Sequence, residues 1–185
     1  LSLNLALQRD GSRRQLRATL DAVDGSHIRV LADGIGDPLS PARYDGVVYI
    51  NAALADLATL DRWRPLWGQP LPLGASGKAL VEGWLDWNGE MSDLRWRLSG
   101  EDLILRGATG GWSLPVDRLS LEAGLQQQGQ RLGVFVSDLQ ITHAGSQLAV
   151  PRLQIDVWGD SLRVRGRALP LTETAGLVQA AGVLP

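Results

Sequence analysis

Apolar residues occupy every second position through most of this chain, from Leu1, Leu3, Leu5 and Leu7 to Leu153, Ile155 and Val157. Successive side chains of an extended chain point to opposite sides, so such a row stands on one face of a strand and leaves the other to water. Leu94, Trp96 and Leu98 repeat the rhythm with Arg95 and Arg97 between them. Leu119, Leu121, Ala123 and Leu125 repeat it with Arg118, Ser120 and Glu122 nearby on the alternate positions. A helical face would recur every 3 to 4 residues, so strict alternation specifies antiparallel strands half-buried on one side. The expected fold class is mainly β.

Strand-like stretches cover 1–9, 15–23, 27–32, 44–50, 77–87, 92–99, 102–106, 112–116, 119–126, 131–142, 147–157 and 161–168. Between them stand Asp10-Gly11, Asp24-Gly25, Asn88-Gly89, Gln128-Gly129-Gln130 and Trp158-Gly159-Asp160, residues that supply the positive φ angles of tight hairpins. Two interruptions read as short helices. Asn51 caps a segment with Leu54, Leu57, Leu60 and Trp63 spaced by three and Pro65 at its end, and Thr172 caps another through Ala175, Val178 and Ala181 toward Pro185. Gly46 and Gly166, Leu57 and Leu177, and Pro65 and Pro185 recur at one constant interval. That is a weak internal repeat with junctions at 46–65 and 166–185, as expected of an array in which each sheet unit stacks on the next.

At 185 residues the chain has the length of one all-β domain, spanning 1–185. Its 18 basic and 20 acidic residues are interspersed, giving a net charge of -2 and no basic field for nucleic acid. There is no cysteine, hence no disulfide framework or thiolate metal site. No run of about 18 apolar residues offers a membrane helix. The chain opens directly within a strand pattern, so a segment of a longer protein is expected.

Catalytic motifs fail on inspection. In Gly74-Ala75-Ser76-Gly77-Lys78-Ala79, Pro72 stands where a phosphate loop needs its first glycine and Ala79 where it needs Ser or Thr. Lys78 likewise replaces the second glycine of a nucleophile elbow around Ser76. His27 and His143 read as solvent-facing strand residues, and Asp86 with Glu90 as solvated acids beside a turn. Neither an enzyme nor a cofactor is expected, and no metal site.

The seven tryptophans, against one phenylalanine, read first as core plugs and strand ends. Five of them lie in the region from Tyr44 to Leu105 with a distinct succession: Gly46-Val47-Val48-Tyr49-Ile50, Leu54-Ala55-Asp56-Leu57, Asp61-Arg62-Trp63 and Pro70-Leu71-Pro72-Leu73. Gly77-Lys78-Ala79, Trp84-Leu85-Asp86-Trp87-Asn88-Gly89 and the run from Leu98 to Leu105 follow. This succession resembles the periplasmic region of the YhdP branch of the AsmA-like family of Gram-negative bacteria. Ala168-Leu169-Pro170-Leu171 and Val183-Leu184-Pro185 are similar to that family's strand-to-helix junction. The resemblance implies a long, curved, taco-like repeating β-groove with an apolar interior. It also implies a periplasmic location, an inner-membrane anchor in parts beyond this segment, and a role in moving phospholipid to the outer membrane.

The residues suit that work on physical grounds. Exposing an acyl chain to water costs about 0.8 kcal/mol per methylene, roughly 11 kcal/mol for some fourteen carbons, and an apolar trough removes most of that barrier. The expected groove-lining residues are Leu85, Trp87, Leu94, Trp96, Leu98, Leu103, Leu105, Leu132, Val134, Val136, Leu153, Ile155 and Val157. Expected partners are phospholipid acyl chains and neighbouring repeats of the same longer chain, with membrane contact only through parts outside this segment. Alternation reports a water-excluded face and not its contents, so a closed β-sandwich serving as a structural or protein-interaction module satisfies the same pattern.

Overall fold

Each strand of this protein pairs with the strand that follows it in the chain, giving ten antiparallel strands in one open sheet of order β1 to β10. The computed structural model describes residues 1–59, 73–88, 91–107, 111–128, 131–158, 161–166 and 171–180. The strands are β1 (Ser2–Asp10), β2 (Arg13–Asp21), β3 (His27–Gly36), β4 (Tyr44–Leu54), β5 (Leu73–Asn88), β6 (Met91–Gly107), β7 (Ser113–Gln128), β8 (Arg131–His143), β9 (Ser146–Trp158) and β10 (Ser161–Gly166). A 3-10 turn, Pro41–Arg43, precedes β4, and a helix, α1 (Leu171–Ala180), rests against β9. Pairing between chain neighbours keeps loop closure short, which is the least entropic way to assemble a sheet.

Local turn chemistry carries the meander. Gly11, at φ 57°, opens the two-residue turn between β1 and β2. At Ala144-Gly145 both residues are left-handed, with φ 47° and 78°, a type I′ hairpin in which alanine occupies a position that favours Asn, Asp or Gly. The sequence breaks there between Thr142 and Gln147 without a turn dipeptide of the usual kind.

The register converts alternation into continuous apolar rows. Leu7 pairs with Leu16, Leu16 with Ala32, Ala32 with Val48, Val48 with Leu85 and Leu85 with Leu94. The same row continues from Leu94 to Leu125, Val134, Ile155 and Val164. It crosses all ten strands, nine steps of about 4.8 Å and roughly 43 Å in length.

Three expectations are corrected. The stretches 92–99 and 102–106 are one strand, β6, and 112–116 and 119–126 are one strand, β7. Their apolar parity changes because β6 holds an extra residue opposite Gly77, with Asp102 at φ 52° and Gly77 at φ 109°. A β-bulge of this kind carries a strand onward while shifting which positions face the core. The helix expected from Asn51 is also absent at its start: Asn51–Leu54 finish β4, where Asn51 pairs with Glu82 and Leu54 with Ala79, and cross-strand pairing overrides the spacing by three. A 3-10 turn covers 57–59, and the rest of that expected helix, through Leu60 and Trp63 to Pro65, lies outside the described residues. The second expected helix is present and starts at Leu171, one residue before the expected cap Thr172; Ala181 and Pro185 lie outside the described residues.

Candidate functional site: the apolar face of the sheet

The candidate site is an entire sheet face. Besides the row just traced, Leu5, Ala18, Val30, Ile50, Gly83, Trp96, Ala123, Val136 and Leu153 form a second, and Leu3, Leu20, Ile28, Ala52, Val81, Leu98 and Leu121 line up beside it. No charged residue interrupts these rows; Arg9 and Arg14, which pair with each other, stand at the β1–β2 turn end. Because the rows are defined by direct cross-strand partners, they share one face.

All thirteen expected lining residues fall on this face by register. Leu85 faces Leu94, Trp96 faces Gly83, Leu98 faces Val81, and Trp87 faces Gly46. Leu103 faces Val116, Leu105 faces both Ala75 and Leu114, and Leu132, Val134 and Val136 face Val157, Ile155 and Leu153. Leu103 and Leu105 keep to the face of Leu98 only because the bulge at Asp102 corrects the parity. In β8 and β9 the same correction occurs at Asp138, φ 52°, with Pro151 between the pairs Ser137–Arg152 and Leu139–Val150. Proline lacks an N–H and is tolerated where a ladder is interrupted.

Burial divides the face. Leu103 and Val116 are 1% exposed and anchor a cluster with Ile28, Ala52, Leu54, Ala79, Leu114 and Leu119. A smaller cluster joins Leu16, Ala32 and Tyr44, flanked by Val48 and Trp87. At the β1 edge the leucine row is open, with Leu5 58% exposed.

The chain between β4 and β5 contributes a stopper that sequence reasoning missed. Leu57 leaves the strand and joins the larger cluster, buried beside it. Four polar contacts fix this turn. Ala55 N–H donates to Ser26 Oγ at 3.0 Å, Thr59 Oγ1 to Asp24 Oδ2 at 3.0 Å, Gly77 N–H to Asp56 Oδ1 at 2.9 Å and Ala58 N–H to the same Asp56 oxygen at 3.0 Å. Ser26 and Thr59 are themselves buried, so these bonds satisfy groups that water does not reach. The Asp56-to-Thr59 spacing, an acid followed by a hydroxyl three residues later, was the available signal.

The opposite face is polar and ionic. Arg97 lies between Glu82 at 3.8 Å and Glu122 at 3.3 Å, Tyr49 donates to Glu82 at 2.9 Å, and the Tyr49 ring stands 5.5 Å from that of Trp84. That bond to a carboxylate holds the Tyr49 hydroxyl above its usual pKa, and burial does the same for Tyr44. His27 Nδ1 lies 2.6 Å from Asp21, and this bond, with another from Ser2, holds the Asp21 carboxyl below its usual range. Both histidines belong to strands of the ladder, and among the described residues no group of three metal-ligating side chains is assembled. No described helix is long and apolar enough to cross a membrane.

Comparison with known proteins finds no matching family model, no similar curated protein and no similar solved structure.

Proposed function

We propose that the apolar face is the wall of a lipid groove, and that the chain is a segment of an AsmA-like protein of the YhdP branch. Such a protein carries phospholipid across the periplasm between the inner membrane, where the full protein is anchored, and the outer membrane. The observation that carries the reading is the ten-strand apolar row from Leu7 to Val164, free of charge along its whole length. Acyl chains lack directional groups, so a surface without fixed polar atoms holds them without selecting one position, and sliding costs little.

The exposed leucines of β1 favour a second reading, in which the open edge receives a strand from a protein partner and the face serves as an interaction core. Photo-crosslinking distinguishes the two. A photoreactive residue at Trp96 or Val134 is expected to capture phospholipid in Gram-negative cells, while one at Arg95 or Gln140 on the other face captures none. Protein adducts at the apolar positions, with no lipid in them and none carried through native mass spectrometry, would establish the interaction module instead.

A further inference from the structure

The polar face of β7 to β9 holds a depression of about 340 Å³ that the apolar face does not share. Its floor is Gly133, which pairs with Gln126 on one side and Asp156 on the other. A Cβ at Gly133 would meet nothing nearer than Asp156 Oδ1 at 3.7 Å and the Gln126 carbonyl at 3.8 Å, so the missing side chain is what opens the space. In the neighbouring row Phe135 extends the end of its ring over Gly124, and Gln154 follows it across the ladder. Asp156 is 2% exposed although it belongs to the polar face; Gln154 Nε2 donates to it at 3.2 Å and Arg165 Nη2 lies 3.4 Å away.

We infer that this depression is a binding site for a neutral saccharide. Asp156 is nearly closed off and its charge is met by Arg165 at 3.4 Å, so the pair presents little net field to a ligand. A neutral ligand rich in hydroxyls suits such a surface. The Arg152 guanidinium and the amides of Gln126 and Gln154 set donors beside acceptors, which is what adjacent sugar hydroxyls require, and the Phe135 ring offers an apolar surface for the C–H face of a pyranose. The volume lies at the small end of ligand pockets, fitting a short saccharide better than a polymer. Because the site is on the opposite face from the lipid rows, it stands or falls independently of the groove.

The test is an amide NMR titration of the labelled protein with maltose and with diacetylchitobiose, against inorganic phosphate and choline as charged probes. Saturable shifts at Gly133, Phe135 and Gln154 with at least one disaccharide are expected, weakened at least tenfold by Gly133→Val, which fills the floor, and by Phe135→Ala, which removes the platform. Should Gly133→Val lose its β-sheet circular dichroism, Phe135→Ala alone decides. Absence of saturable shifts with both disaccharides, shifts that the variants leave unchanged, or saturation by phosphate or choline alone would each overturn the assignment.

Discussion

The sheet keeps its apolar face together in two ways. From β1 to β5 the register runs without a shift, and each hydrophobic row follows from alternation alone. From β5 to β9 the strands are longer, three register shifts intervene, and left-handed residues at Gly77, Asp102 and Asp138 reset the faces. The bulged half also contains the most deeply buried side chains, Leu103, Val116 and Ala123, whereas the regular half ends in exposed leucines. The difference teaches that simple alternation produces a sheet, while bulges keep the apolar rows on one face where the strands are longest.

Truncation is the largest test of that contrast. Leu103→Ala removes a fully buried side chain beside the bulge and is expected to cost about 2–5 kcal/mol in chemical denaturation. Leu5→Ala, the same change on the open edge, is expected to stay within about 0.5 kcal/mol. Equal losses would mean that the β1 row is covered as well as the centre.

Next in size are the bulges themselves. Asp102→Val and Asp138→Val place a β-branched residue at φ 52° and are each expected to destabilise by about 1–3 kcal/mol, while the corresponding glycine variants hold or gain stability. If valine is tolerated at both positions, the left-handed backbone is not what resets the faces.

These two regions were unequally legible. Leu1 to Leu7, Leu94 to Leu98 and Leu153 to Val157 were readable because parity is a local property, and tight turns such as Gly11 announced their own chemistry. The continuity of β6 and of β7 was not, since a change of parity looks like a broken strand until its neighbours are in register. A signal does exist: Val116 to Leu119, Val136 to Leu139 and Val150 to Leu153 each step by three, with an acid or proline inside the step. Asn51 to Leu57 misled for the converse reason, because spacing by three is satisfied equally by a strand end followed by a turn. The saccharide depression left no periodic trace at all; Gly133 marks it only once Gln126 and Asp156 are known to flank it.

A smaller effect sharpens the turn chemistry. Ala144 bears φ 47° in the β8–β9 hairpin, a conformation that costs a non-glycine residue about 1–2 kcal/mol and asparagine less. Ala144→Asn is expected to raise stability by about 1 kcal/mol, read from the denaturation midpoint at unchanged slope. No gain, or a loss, would show that the hairpin is held by its strands and not by its turn.

The smallest effect concerns acid, and it belongs to the regular half. Arg13 Nη2 donates to Asp33 at 2.8 Å and Gln15 to the same carboxylate at 3.0 Å, the guanidinium holding the Asp33 carboxyl below its usual range as His27 and Ser2 do for Asp21. A depressed folded pKa means that the folded state binds fewer protons than the unfolded chain, so acidification favours unfolding. The contribution is complete above the ordinary carboxylate pKa of about 4 and disappears as pH falls through the lower folded values. Both groups are exposed, so salt screens them and the effect is local. Amide exchange, corrected for its intrinsic pH dependence, is therefore expected to accelerate first in β1 to β3 below about pH 4, and Asp33→Asn is expected to flatten that response. Earlier loss of protection around Leu103 would place the acid-sensitive link in the bulged half instead.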